Sequence, residues 1–202
     1  MTARIINIAI FTMLYLGFLV WYDGWGSQPM TSAEAEGYLA ELSSDLAGED
    51  FVESMRELAA QDDGNEIFML NLNRYQYAEG EAPVGIPAAY QAYGDAVVGM
   101  ILRNAGHPIY SGAVAGLFQS DDSESRQWDE VILVRYRSRR DFLSMISSQP
   151  FQQAAGIRAG GIAYAEVTPN TPGINLSTPR LIIFIALLLP GLLIDRLLRS
   201  KI

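Results

Sequence analysis

The sequence predicts an α+β domain of βαββαβ order set between an N-terminal and a C-terminal transmembrane helix. Three observations carry this reading. Two charge-free apolar stretches, 5–22 and 181–194, lie near the two ends of the 202-residue chain. Between residues 67 and 168 the apolar spacing switches repeatedly between a period of two and a period near 3.6. Half of the residues are hydrophobic and only 18% are charged, with no cysteine and one histidine. This composition excludes a disulfide scaffold, a thiolate zinc site, an iron–sulfur cluster and a cysteine nucleophile. The net charge of −9 excludes the basic footprint that a nucleic-acid partner requires.

Residues 1–25 form the first predicted span. The run IINIAIFTMLYLGFLVWY is uncharged and as a helix is about 27 Å long, close to the hydrocarbon thickness of a bilayer. It exceeds a signal-peptide core, and the following WYDGWGSQPM offers no small-x-small cleavage site, so an uncleaved signal anchor is expected. Trp21, Tyr22 and Trp25 suit the headgroup level. Residues 26–64 are an acidic helical arm. Ten acids face Arg56 alone between 31 and 63, Thr31-x-x-Glu34 is a capping-box pattern, and Gly48 divides two short amphipathic helices. The acids are interleaved with apolar residues, which suits a solvated helical pair packing one stripe. Asp62-Asp63-Gly64-Asn65-Glu66 lacks the ligand spacing of a calcium loop.

Residues 65–169 hold the α+β domain. IFMLNLNRY at 67–75 reads as a strand, 87–105 as a helix with Tyr90, Tyr93, Val97 and Ile101 on one stripe, and 107–119 as a second strand. SDDSESRQ is a turn, with Asp121, Asp122 and Glu124 at a solvated tip, and 128–137 is a third strand. Ser138-x-x-Asp141 caps a helix that Pro150 breaks and 151–156 resumes, and 162–168 closes the set. The order is the split βαβ of the ferredoxin-like fold. Residues 170–178, with Pro172 and Gly173, form a linker. Residues 179–202 form the second span, in which Thr178 caps, Pro179 takes the first helical position and Pro190-Gly191 introduces a bend.

Arg4 at one end and Arg196, Arg199 and Lys201 at the other predict that both termini are cytoplasmic. Residues 23–179, with 22 acids and nine arginines, then lie on the outer side, which in a bacterium is the periplasm. The membrane is therefore the bacterial cytoplasmic membrane.

The run WDEVILVRYRSRRDFLSMISSQPFQQAAGIRAGG, with FMLNLNRY and AYQAYGDAV before it, resembles the dimeric α+β barrel superfamily, and within it an uncharacterised bacterial branch of small stand-alone domains. The resemblance covers about residues 66–168. It implies a homodimer formed by two sheets packing face to face. Relatives in that superfamily include cofactor-independent monooxygenases, haem-degrading enzymes and isomerases, with no reaction assigned to this branch and no catalytic residue to transfer. The two spans and the acidic arm depart from its usual pattern.

Strand alternation places Phe68, Leu70 and Leu72 toward the helices and leaves Met69, Asn71, Asn73 and Tyr75 on the opposite face. Tyr164, Glu166 and Thr168 share a face of the last strand. Asn71, Asn73, Tyr164 and Glu166 are then candidates to line a ligand cleft, or to satisfy one another across a dimer seam. His107, beside Pro108, is a candidate general base or axial ligand, with a hydrogen-bonded surface role as the plainer account. Arg135, Arg137, Arg139 and Arg140 could grip anionic headgroups, or pair internally with Glu130 or Asp141. No phosphate loop or Ser-His-Asp order is present, and neither a metal nor a cofactor is expected. Two functions fit: a dimerisation or assembly module serving other membrane-protein subunits, or a small-molecule binder or monooxygenase- or isomerase-like enzyme acting on an apolar substrate. An open apolar pocket with convergent polar groups would favour the second.

Overall fold

The computed structural model describes residues 2–42, 48–116, 127–175 and 178–199. The chain divides into two units, one formed by residues 1–26 and 173–202, the other by residues 27–172.

The first unit is an antiparallel pair of helices, α1 (Thr2–Asp23) and α7 (Pro179–Arg199), the labels following chain order. Both are long and apolar enough to cross a membrane. Their outward side chains are hydrophobic and bare, Ile182 and Leu181 being 68% and 61% exposed, as a lipid solvent would require. The contacts between the helices are specific. Tyr15 meets Phe184 edge to face at 5.3 Å, and Asn7 Nδ2 donates to the Gly191 carbonyl at 3.0 Å. A Cβ on Gly191 would stand 3.3 Å from the Phe11 ring, so the glycine sets the close approach. An ion pair closes each end: Arg4 with Asp195 at 2.5 Å, and Arg180 with Asp23 at 2.6 Å. Arg199 also reaches Asp195, at 2.9 Å. The Arg180 guanidinium lies 4.9 Å from the centre of the Tyr22 ring.

The second unit is a mixed α+β fold built on a four-stranded antiparallel sheet. Its elements are α2 (Ser32–Ala40), α3 (Glu49–Ala60), β1 (Ile67–Tyr75), α4 (Ala88–Arg103), β2 (His107–Ala113), β3 (Glu130–Tyr136), α5 (Arg139–Ile146), α6 (Gln149–Arg158) and β4 (Ile162–Asn170). The strand order is β2-β3-β1-β4, so each βαβ crossover brackets a strand that runs the other way. Pro108 and Pro169 fall in the two edge strands, where a missing N–H costs least. The second predicted strand is shorter than expected and ends at Ala113. The predicted acidic tip, Asp121, Asp122 and Glu124, lies outside the described residues. Pro150 opens α6 rather than breaking a helix, because Ser147 and Ser148 end α5 and the Ser148 hydroxyl caps the next helix.

The core forms where helices cover one face of the sheet. Ile67 and Met69 from β1 and Val134 and Tyr136 from β3 pack with Val97, Ile101, Phe142, Leu143 and Ala154. This overturns the predicted faces of β1. The residues toward the helices are Ile67, Met69, Asn71, Asn73 and Tyr75, and Phe68, Leu70 and Leu72 look the other way. Alternation separates the two sets without naming which one the helices cover, and Ile67, one residue upstream of the predicted set, anchors the core at 1% exposure.

The acidic arm joins this core through Ala35, Leu58 and Ala59. The basic cluster of the domain holds it there. Arg140 pairs with Glu34 at 2.7 Å and Arg139 with Asp63 at 2.8 Å, while Arg137 pairs with Asp141 at 2.6 Å and Arg135 with Glu66 at 2.7 Å. Asp141 is thus a partner as expected, and Glu130 is not. The Asp62 carboxylate is used in the turn, accepting from the backbone of Met30 at 2.7 Å and of Gly64 at 3.3 Å.

Candidate functional site

Three elements line a half-open cavity of about 330 Å³ on the helix-covered side of the sheet: α4 forms one wall, the sheet the floor, and Arg158 at the end of α6 one corner. Ile86, Val97, Val98, Ile101, Ile132 and Val134 supply apolar walls. Asn71, Tyr90, Tyr93, Ser111, Glu130 and Arg158 supply the polar groups. This is the mix of apolar lining and few convergent polar groups typical of a small-ligand site.

The sequence builds this geometry through two backbone devices. Gly161, at the start of β4, touches the first turn of α4 so closely that a Cβ there would stand 2.6 Å from the Tyr90 nitrogen. Only glycine lets the helix sit so low on the sheet. At the other end, α4 closes with the Ala105 and Gly106 amides donating to the Leu102 and Ile101 carbonyls at 3.1 and 2.9 Å. This is the Schellman arrangement, with Ala105 in the left-handed conformation at φ 54° where glycine is usual. The Ala105 carbonyl in turn accepts from Arg135 at 2.7 Å.

A buried hydrogen-bond network forms the polar end of the cavity. Asn73 is fully buried. Its Nδ2 donates to the Tyr90 hydroxyl at 2.8 Å and to Glu130 Oε2 at 3.2 Å, and its Oδ1 accepts from Arg158 Nη2 at 3.1 Å. The amide orientation is dictated, since a guanidinium only donates and a carboxylate only accepts. Asn73 therefore stands as a neutral link between a carboxylate and a guanidinium. The Ser111 hydroxyl donates to Glu130 Oε1 at 3.2 Å. With a donor on each carboxylate oxygen, Glu130, 6% exposed, serves as an organising group more than as a free base. Burial pushes the Tyr75 hydroxyl above the ordinary phenol value, and the nearby Glu130 carboxylate adds to the shift. Burial also raises Tyr90, reinforced by the Glu130 charge and opposed by Arg158. Burial raises Tyr93, which Arg158 opposes from 5.8 Å over the ring. These hydroxyls remain protonated donors near neutral pH.

The structure does not bring the predicted cleft residues together. Asn71 lines the cavity, and Asn73, on the same helix side, lies buried behind it, bonded to the lining residues Tyr90, Glu130 and Arg158. Tyr164 and Glu166 pair across from Arg74 and Leu72, on the other face. There the Tyr164 hydroxyl donates to the Gln127 carbonyl at 2.8 Å and its ring meets Trp128 at 5.3 Å. His107 lies across from Arg135 on that same face, its Nδ1 3.1 Å from the Pro108 carbonyl, so the neighbour Pro108 lines the cavity and the histidine does not. Among the described residues no cluster of histidine or acidic side chains could hold a metal ion. Sequence reasoning missed Glu130, Tyr90, Ser111 and Arg158 as a group. The available signal was a charged residue at the first position of an otherwise apolar strand, EVILV.

No family model matches the sequence. No curated protein matches it. Among solved structures, the chain is similar to the RPA0582 protein of unknown function from Rhodopseudomonas palustris, at 24% identity and a TM-score of 0.53, over 61% of this chain and 94% of that one. A structure of methylated RPA0582 gives 25% identity and a TM-score of 0.51, over 62% and 93% of the two chains. The likeness shows a shared fold, with nearly the whole of the smaller protein matched by about three-fifths of this chain.

Proposed function

We propose that this protein is a membrane-anchored binding domain for a small, largely apolar molecule, with the cavity beneath α4 as its site. The observation that carries the reading is the cavity itself, about 330 Å³ of apolar wall ending in the Asn73, Glu130 and Arg158 network. The Glu130 carboxylate already accepts from Asn73 and Ser111, and nothing in the network is arranged as a nucleophile with its base. This supports binding rather than catalysis.

The helices α1 and α7 are read as a two-span anchor in a bacterial cytoplasmic membrane, with both termini cytoplasmic and residues 27–172 periplasmic. Support comes from their length and bare apolar surface and from the basic residues near the chain ends. The order β2-β3-β1-β4 supports assigning the second unit to the ferredoxin-like class and its dimeric α+β barrel branch.

A second reading, assembly, is favoured by a different observation. The sheet face turned away from α4–α6 carries Leu70, Leu72, Val131, Leu133 and Tyr110, the last 57% exposed. Apolar side chains on such a face suit a second copy docked sheet to sheet, or other membrane subunits.

Native mass spectrometry of the full chain, extracted gently from its own membrane, tests the readings together. Retention of a reproducible small molecule, lost in an Ile132→Trp variant that fills the cavity, is the expected result. Recovery with other membrane subunits and no small molecule would overturn the binding reading and favour assembly.

A further inference from the structure

We infer that the cavity selects ligands bearing a carboxylate, and that Arg158 is the residue that takes it. This inference rests on the binding reading above and deepens it by naming the head group.

The charge balance of the second unit points to Arg158. The other buried or half-buried arginines there are committed: Arg56 to Glu36, Arg74 to Asp129, Arg135 to Glu66, Arg137 to Asp141, Arg139 to Asp63 and Arg140 to Glu34, all at 2.6–2.8 Å. Arg158 differs. Its hydrogen bond goes to the neutral Asn73 Oδ1, its face lies over Tyr93, and no carboxylate stands within 4 Å of it among the described residues. A guanidinium has five N–H donors, and one bond of 3.1 Å leaves most of them available to a ligand at the half-buried corner of the cavity. A planar carboxylate satisfies such a group with two parallel bonds.

The surroundings hold the guanidinium ready for that partner. Asn73 cannot turn its oxygen away without presenting it to Glu130, and the Tyr93 ring supports the cation from one side. The Glu130 carboxylate, the obvious internal competitor, is occupied by Asn73 on one oxygen and Ser111 on the other. It also disfavours a second anion at its own end, which leaves the Arg158 corner as the place where an acid head group can sit. The tail would then lie along Ile101, Ile132 and Val98.

The test uses the full chain in detergent and two matched sets of probes, 3-phenylpropanoate, 3-phenylpropanol and 3-phenylpropylamine, and the corresponding hexyl series, with dissociation constants from calorimetry. The expected result is at least a tenfold preference for the acid over the alcohol in one series. Arg158→Gln keeps a donor for Asn73 without the charge and should abolish the preference. Arg158→Lys should restore part of it, because a point charge lacks the fork. Equal binding of acid and alcohol, lost in Ile132→Trp, would overturn the carboxylate inference and leave the cavity reading standing. Preference for the amine would overturn it in favour of Glu130 as the anchor. Failure of all six probes in the wild-type chain would overturn the cavity reading, and the inference with it.

Discussion

Arg135 shows how single residues decide this structure. Its side chain is 1% exposed, bonded to Glu66 at 2.7 Å and to the Ala105 carbonyl at 2.7 Å. It ties the entry to β1 to the strained end of α4. Truncation leaves a carboxylate and a carbonyl without their donor, so Arg135→Met should cost about 3 kcal/mol, the lower end for breaking a buried pair because Glu66 keeps some solvent. Urea unfolding of the detergent-solubilised protein measures it, and a loss below about 1 kcal/mol would show that solvent replaces the guanidinium. The buried tyrosines set a pH dependence. Tyr75 and Tyr90 have raised values through burial and Glu130. Their contribution is whole below the ordinary phenol value of about 10 and is lost as pH rises from there toward their folded values. Unfolding free energy should therefore fall above about pH 10, and Tyr90→Phe should flatten that fall. An unchanged slope in the variant would remove Tyr90 from the account.

At the scale of elements, packing of α4 on the sheet governs the cavity. Gly161→Ala forces a Cβ against the backbone of Tyr90. Because the clash is with backbone, the helix must move, and a loss of about 2 kcal/mol is expected. The same displacement should weaken ligand retention in native mass spectra. Retained stability would mean that α4 slides freely, contrary to its close seating. For α5, Ser138 accepts from the Asp141 amide at 3.1 Å and donates to its carboxylate at 2.8 Å, so Ser138→Ala should cost about 1 kcal/mol in the same unfolding experiment. The arm helices α2 and α3 are legible as helices from Thr31-x-x-Glu34 and the 51–59 stripe. Their attachment is not, because it depends on Glu34 and Asp63 meeting arginines more than 70 positions away.

For the whole molecule, the absence of cysteine makes topology directly measurable. A Gln153→Cys variant places one thiol on the exposed surface of α6, and a Thr2→Cys variant places one at the start of α1. A membrane-impermeant maleimide added to intact cells with a permeable outer membrane should label the first and spare the second. Labelling of neither, with both reacting after lysis, would put residues 27–172 on the cytoplasmic side. Ion pairs at both ends of α1 and α7 make the two-helix pair a defined unit, held by Asp195 and Asp23 as well as by ring packing.

The sequence by itself determined the number, order and type of the elements, since apolar period, capping residues and glycine or proline punctuation are local properties. It also determined that two long apolar helices frame an acidic α+β segment. What only the tertiary structure decided was which face of β1 the helices cover, and with it the site. A period of two divides Asn71 and Asn73 from Phe68 and Leu70 equally well in either orientation. The choice came from Ile67 and Met69 packing with Val97, Ile101 and Leu143, contacts that exist only once α4 and α5 have settled. That choice placed Asn73 at the helix-covered cavity and sent Tyr164 and Glu166 to the other face. Glu130 and Arg158, 28 positions apart in sequence, became neighbours through one buried amide, a relation set by three-dimensional packing and invisible to spacing.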